Sequence, residues 1–156
     1  MEPDECLDSS IAARDTALRL LARREHSRRE LLAKLALRGF EASLAQSVID
    51  DLEEAGLQND LRYAEAFVHS RRGRLQGPLK IQAELQHRGV NKSLINEVLE
   101  PCAGEWVQLA VAFIKKRGMT GLVTDFHQRQ KVYRRLANRG FSHSEAIAAI
   151  EEVRSD

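Results

Sequence analysis

The sequence predicts an all-α molecule: an elongated array of three tandem three-helix repeats, each of about 50 residues. Three observations carry that reading. An Arg-Gly pair followed by an apolar residue recurs as Arg38-Gly39-Phe40, Arg88-Gly89-Val90 and Arg139-Gly140-Phe141. Around each glycine the same residue characters return at fixed offsets. Leu31, Ile81 and Val132 stand eight residues before it, Leu35, Leu85 and Leu136 four before, Ser43, Ser93 and Ser144 four after, and Ile49, Leu99 and Ile150 ten after. Finally, charge alternates along the 156 residues with the same period, although the net charge is only +1. Residues 1–13 carry four acids and no base, 39–57 five acids and no base, and 115–139 eight bases against Asp125 alone. Periodic self-similarity of this kind signals a repeat architecture.

Each element follows from local chemistry. The first helix is expected from about Ile11 to Arg24, with Ala13, Ala17, Leu20 and Leu21 inward. Ser27 and Glu30 have the spacing of a capping box for the second helix. Gly39 ends that helix, because the residue after a helix often takes a left-handed φ that only glycine adopts freely. A third helix follows, with Leu44, Ala45, Val48, Ile49 and Leu52 on one face. In the second repeat Asn59 or Asp60 caps a helix bearing Tyr63, Ala64, Phe67 and Val68. Gly77-Pro78 opens the next, with proline at its tolerated first-turn position, and Leu94, Ile95, Val98 and Leu99 line the last. In the third repeat Val107, Ala110, Val111 and Ile114 line the first helix, Gly118 to Gly121 break it, and Thr124 or Asp125 caps the second. The alanine-rich last helix predicts that the third core is the thinnest. The expected divisions are a disordered acidic tail at 1–9 and repeats at 10–57, 58–101 and 102–156.

Asp60-x-x-Tyr63-Ala64-x-x-Phe67-Val68-x-x-Arg71, followed by Gly77-Pro78-x-x-Ile81-x-x-Glu84-Leu85-x-x-Arg88-Gly89-Val90, resembles the RecX family of bacterial regulatory proteins. The resemblance is strongest in the second repeat; the repeat pattern spans roughly residues 10 to 154. The third repeat departs from it in a longer glycine-containing connection and in the polar stretch His127 to Gln130. The resemblance implies a modulator of the recombinase RecA, acting in recombination, DNA repair and the SOS response. It implies binding to RecA filaments on DNA and restraint of their recombinase, ATPase and coprotease activities.

Other classes fit less well. No apolar run approaches the roughly 20 residues of a membrane span, and the acidic N-terminus is neither a secretory nor a transit signal, so a cytoplasmic location is expected. Cys6 and Cys102 cannot form a disulfide framework. There is no phosphate-binding, zinc-protease or nucleophile-elbow motif, and the five histidines lack metal-ligand spacing. An enzyme, a cofactor and a small-molecule substrate are therefore not expected. A helix-turn-helix transcription regulator is the main rival, but the would-be recognition helix of the first repeat has five acids and no base. A helical scaffold with another partner is the third reading.

Candidate contacts with RecA or DNA are the basic residues Arg71, Arg72, Arg74, Lys80, Arg88, Lys115, Lys116, Arg117, Lys131, Arg134, Arg135 and Arg139. Phosphate favours such faces, while a helix dipole or a solvated surface would account for the same clusters. Asp50, Asp51, Glu53 and Glu54 oppose the dipole at a helix C-terminus. Bases of a neighbouring helix or a basic partner surface should offset them, with copy-to-copy contacts using some and a protein partner meeting the rest. Mixed charge predicts weak, salt-sensitive binding to bare DNA and tighter binding to RecA-coated DNA. A monomer is expected, with an unmatched apolar repeat end able to dimerise weakly.

Overall fold

The computed structural model describes residues 2–156, and among them nine α-helices and two short 3₁₀ turns, with no strand. The helices are α1 Pro3–Arg23, α2 Arg28–Leu37, α3 Ala42–Glu54, α4 Asp60–Gly73, α5 Pro78–His87, α6 Lys92–Leu99, α7 Trp106–Lys116, α8 Phe126–Asn138 and α9 His143–Ser155. The six residues predicted at the −8 and −4 positions, Leu31, Leu35, Ile81, Leu85, Val132 and Leu136, are all 0% exposed. Gly39, Gly89 and Gly140 end α2, α5 and α8 with φ of 86°, 84° and 99°. Asn59 caps α4 through the Arg62 amide, and Asp125 caps α8 through the Gln128 amide. Ser27 accepts from the Glu30 amide, but Glu30 does not reach back, so only half of that box forms; the complete box is Ser142–Glu145.

Three hydrophobic cores line up along the chain. The first joins Ala13, Ala17, Leu31, Leu35, Ala45, Val48, Ile49 and Leu52. The second is built on Tyr63, Phe67, Ile81, Leu85 and Ile95, and the third on Ile114, Met119, Val132, Leu136, Phe141 and Ile150. The exposed area is 9389 Å², against about 7,900 Å² for a compact monomer of this mass. The excess is what an elongated stack requires.

Three expectations need correction. Pro3–Ser9 are not a disordered tail: they form the first turns of α1, with proline opening the helix and Asp4 and Glu5 complementing its dipole. Met1 lies outside the described residues. The third core is the richest of the three, because Phe113, Met119, Val123 and Phe141 fill the space left by the alanines of α9. Cys102 and Trp106, assigned by the sequence division to the third repeat, pack into the second core.

Candidate nucleic-acid interface

The Arg-Gly steps do more than end helices. Each internal one is the joint between two units. At the first joint the Ser27 hydroxyl donates to the Arg88 carbonyl at 2.8 Å, and the Arg88 guanidinium donates to Glu30 at 3.0 Å. The Arg28 amide donates to Asp60 at 2.9 Å, so an acid of the second unit serves the N-terminus of α2. At the second joint the Gly77 amide donates to the Arg139 carbonyl and the Leu79 amide to the Gly140 carbonyl, both at 2.9 Å. The Arg139 guanidinium donates to the carbonyls of Leu75 and Arg74. The two joints thus occupy equivalent places: the start of the second helix in one unit receives the Arg-Gly step of the next.

Side chains at these joints build a repeated cassette. A phenylalanine of the first helix in a unit lies under an arginine one turn later and under the arginine of the Arg-Gly step. In the second unit Arg71 lies 4.6 Å and Arg88 5.3 Å from the Phe67 ring centroid. In the third, Arg117 lies 5.5 Å and Arg139 5.6 Å from that of Phe113. Both rings are buried, so each presents a face to two cations; Arg71 also pairs with Glu84 at 3.3 Å, Arg88 with Glu30 and Arg139 with backbone carbonyls. The first unit has Ala17 and Leu21 at the corresponding positions and no cassette.

The cassettes line one basic groove. Its first part, a cleft of about 450 Å³, is bordered by Arg24, Glu25, Tyr63, Phe67, Ser70, Arg71, Arg74 and Arg88. Arg74 also borders the next hollow, with Phe113, Lys116, Arg117 and Arg139. Phe113, Arg117 and Arg139 continue into a third, which adds Lys80 and Arg135. Beneath the first cleft Glu30 carries ion pairs to Arg24 at 2.9 Å and Arg88 at 3.0 Å. Burial acts to raise its pKa, but the adjacent Tyr63 hydroxyl and the Arg88 and Arg24 guanidiniums outweigh it, and the net shift is downward. Burial, with the Glu30 charge beside it, pushes the Tyr63 phenol well above its ordinary value. That hydroxyl is buried and finds no partner in good hydrogen-bond geometry. Such a surface suits phosphate: guanidiniums supply charge and paired donors, and aromatic faces hold them in place.

The family decides what this architecture is. Residues 13–52 match the model of the first three-helix domain of RecX, and residues 59–99 that of the second. The chain belongs to the RecX family. The regulatory protein RecX of Halorhodospira halophila is 43% identical over 148 residues, covering 95% of this chain and 92% of that protein. The RecX of Chromohalobacter salexigens is 46% identical over 137 residues, 88% and 90% of the two chains. The crystal structure of RecX from Lactobacillus salivarius superposes with a TM-score of 0.83 over 96% of this chain and 99% of that one. At 22% identity that likeness speaks to the fold.

In this RecX-family chain the groove collects Arg71, Arg74, Lys80, Arg88, Lys116, Arg117, Arg135 and Arg139 from the residues expected by sequence. Four others lie elsewhere. Arg72 pairs with Glu105 and stacks on Trp106, Lys115 reaches Asp156 at 3.6 Å, and Lys131 and Arg134 are exposed on α8 away from the groove lining. The acids divide too. Arg28 of α2 pairs with Asp50 at 2.6 Å and Glu53 at 3.0 Å, so the dipole of α3 is offset from within the first unit and not across a joint. Asp51 and Glu54 stay exposed, without a basic partner among the described residues. Sequence reasoning missed Arg24 and the platform role of Phe67 and Phe113. The signal was present: Phe-x-x-x-Arg occurs at Phe67/Arg71 and returns at Phe113/Arg117. Among the described residues no cluster of His, Cys, Asp and Glu could hold a metal ion, and no helix is long and apolar enough to cross a membrane.

Proposed function

We propose that this chain is a cytoplasmic regulator that binds RecA filaments on DNA and restrains their recombinase, ATPase and coprotease activities. It acts by binding and not by catalysis. Membership of a family of regulatory proteins supports the regulatory role, and the basic groove is the observation that carries the binding mode. Its hollows adjoin through shared residues over two joints, and four of its cations, Arg71, Arg88, Arg117 and Arg139, stand on buried aromatic faces. A nucleoprotein offers phosphates to such a groove and carboxylates or basic side chains to its flanks. Asp51 and Glu54 on α3 are the acids left for a protein surface, with Asp50 and Glu53 beside them. Charge complementarity on both components sets register and on-rate. It also makes the coated filament a better ligand than bare DNA, which is bound weakly and loses affinity steeply with salt.

The test is RecA ATPase activity on single-stranded DNA with this protein added well below stoichiometry. Strong inhibition is expected. Undiminished hydrolysis at an equimolar ratio contradicts the reading.

A further inference from the structure

We propose that copies of this chain associate head to tail, the first turns of α1 of one copy seating in the hollow between α8 and α9 of the next. The stack leaves an unmatched surface at each end. At one end, α8 is the third helix of the type that receives a following unit, and among the described residues it receives none. Beside its first turns a hollow of about 380 Å³ is lined by Phe126, Tyr133, Ile147 and Ile150, with Arg129, Gln130, His143 and Glu151 at its edges. Phe126 is 62% and Ile147 44% exposed, an apolar surface open to water. At the other end, Arg38-Gly39-Phe40 docks on no unit among the described residues: nothing lies within 4 Å of a Cβ built on Gly39. The first turns of α1 run beside it, and Cys6 and Ser9 line a shallow hollow with Gly39, Phe40 and Leu44. Those turns carry Leu7 and Ile11, one turn apart and 60% and 52% exposed.

The charges match. Asp4 and Asp8 flank the Leu7–Ile11 stripe and have no basic partner among the described residues, while Arg14 continues the same face one turn after Ile11. In the receiving hollow Arg129 stacks on Phe126 at 5.8 Å and has no carboxylate partner. Glu151 lies 3.5 Å from Arg154, and His143 is bonded to the Tyr133 hydroxyl at 2.9 Å. Of the five bases between Phe126 and Ser144, Arg129 alone lines this hollow; Arg135 and Arg139 line the basic groove. An apolar turn flanked by two unpaired acids at one end thus complements an apolar hollow with an unpaired arginine at the other.

The contact cannot copy the internal joint. Gln128 stands where Ser27 and Gly77 do, but it lies inside α8 and its amide is already taken by Asp125. The two ends therefore meet through side chains, over a small area. A small heterologous contact is weak between free molecules and propagates instead of closing on itself. On a periodic scaffold neighbouring copies are held at high effective concentration, and the contact becomes cooperativity; this consequence rests on the filament reading, whereas the contact itself does not.

Sedimentation velocity of the full chain at low and high salt tests the contact, with the Leu7→Asp/Ile11→Asp double variant, Arg129→Glu and Asp4→Lys/Asp8→Lys compared by far-UV circular dichroism for intact helicity. The wild type should associate beyond the dimer as concentration rises at low salt, and the Leu7/Ile11 variant should remain monomeric. Arg129→Glu should weaken association at least tenfold, and mixing it with the Asp4/Asp8 variant should restore it. On RecA-coated single-stranded DNA the wild-type isotherm should be steeper than that of the Leu7/Ile11 variant. A wild type that stays monomeric throughout and binds filaments without cooperativity overturns the proposal, as does association that stops at a dimer or that the variants leave unchanged. Chains that form without any filament binding leave this contact standing and remove only the proposed function.

Discussion

At Gly77 and Gly140 the backbones of two units touch. A Cβ on Gly77 would collide with the Gly140 carbonyl and the Phe141 amide, and one on Gly140 with the backbone and Cβ of Lys80. Gly140 also has a left-handed φ, while Gly77 does not. Gly39 has the left-handed φ but open space around it. Three alanine variants separate the two effects. Gly39→Ala should cost about 1 kcal/mol, from φ alone. Gly77→Ala should cost about 1–3 kcal/mol, from overpacking alone, and Gly140→Ala about 2–4 kcal/mol, from both. Thermal unfolding should rank the melting temperatures in that order. A Gly39 variant as damaged as Gly140 would mean that the steps are not joints. At Glu30, replacement by Gln removes the charge that holds Arg24 and Arg88 and should cost about 1–3 kcal/mol. Because the Glu30 pKa is depressed, its contribution is full above the ordinary carboxylate range and is lost as pH falls through its folded value. The wild type and Glu30→Gln should therefore converge in stability below about pH 4, as urea unfolding across pH will show.

Among the elements, the two joints differ in kind. The second shares apolar packing: Leu109 packs against both the second and third cores, and Leu75, held at φ 58°, packs against the third. The first core shares no residue with the second. The first joint is polar, built on Ser27–Arg88, Arg28–Asp60, Arg62–Glu25 and the Gln58 amide donating to the His26 carbonyl. His26 is 2% exposed there, bonded to the Arg24 carbonyl at 3.0 Å and to the Lys34 ammonium at 3.3 Å. Since the ammonium must donate, the ring accepts at Nε2 and is neutral, with its proton on Nδ1. Burial lowers its pKa most; the bond to the Arg24 carbonyl opposes this, and the Arg24 and Lys34 charges reinforce it. A depressed histidine contributes stability above its unfolded value, about 6.5, and loses it as pH falls through the folded value. Hydrogen exchange should thus show α2 and the 55–60 connection opening before α5 and α8, with the difference widening below about pH 6. Equal protection at both joints, independent of pH, would contradict this.

The helices, their glycine stops and the buried −8 and −4 positions were legible because each rests on packing within one unit. Periodicity reports such packing directly. The joints were not legible. Ser27, Asp60 and Arg139 act across more than thirty residues of chain, and nothing in a local pattern distinguishes an arginine that docks a unit from one that faces water. The acids of α3 divide the same way: a neighbouring helix does offset them, as their dipole required, but it is α2 of the same unit through Arg28 and not a copy-to-copy contact. The same limit explains why a polar N-terminus read as a tail, when it is an outer turn of helix whose apolar residues, Leu7 and Ile11, are exposed.

Over the whole molecule, three small cores in series make an extended body, and the two cassettes place Arg71, Arg88, Arg117 and Arg139 along one groove across it. The central claim is that this groove grips a recombinase filament on DNA. The most direct measurement is equilibrium affinity for RecA-coated and for bare single-stranded DNA at several salt concentrations, comparing the wild type with Arg71→Glu/Arg117→Glu. Arg117 stands on the groove wall, whereas Arg71 also pairs with Glu84 at 3.3 Å, so thermal unfolding of the variant must first show a cooperative fold. The wild type should prefer the coated strand. The variant should bind it at least tenfold more weakly, with the slope of log affinity against log salt reduced by about two, one for each phosphate left unneutralised. Affinity and salt dependence unchanged in a folded variant, or a wild type that binds bare and coated strands alike, would contradict the account.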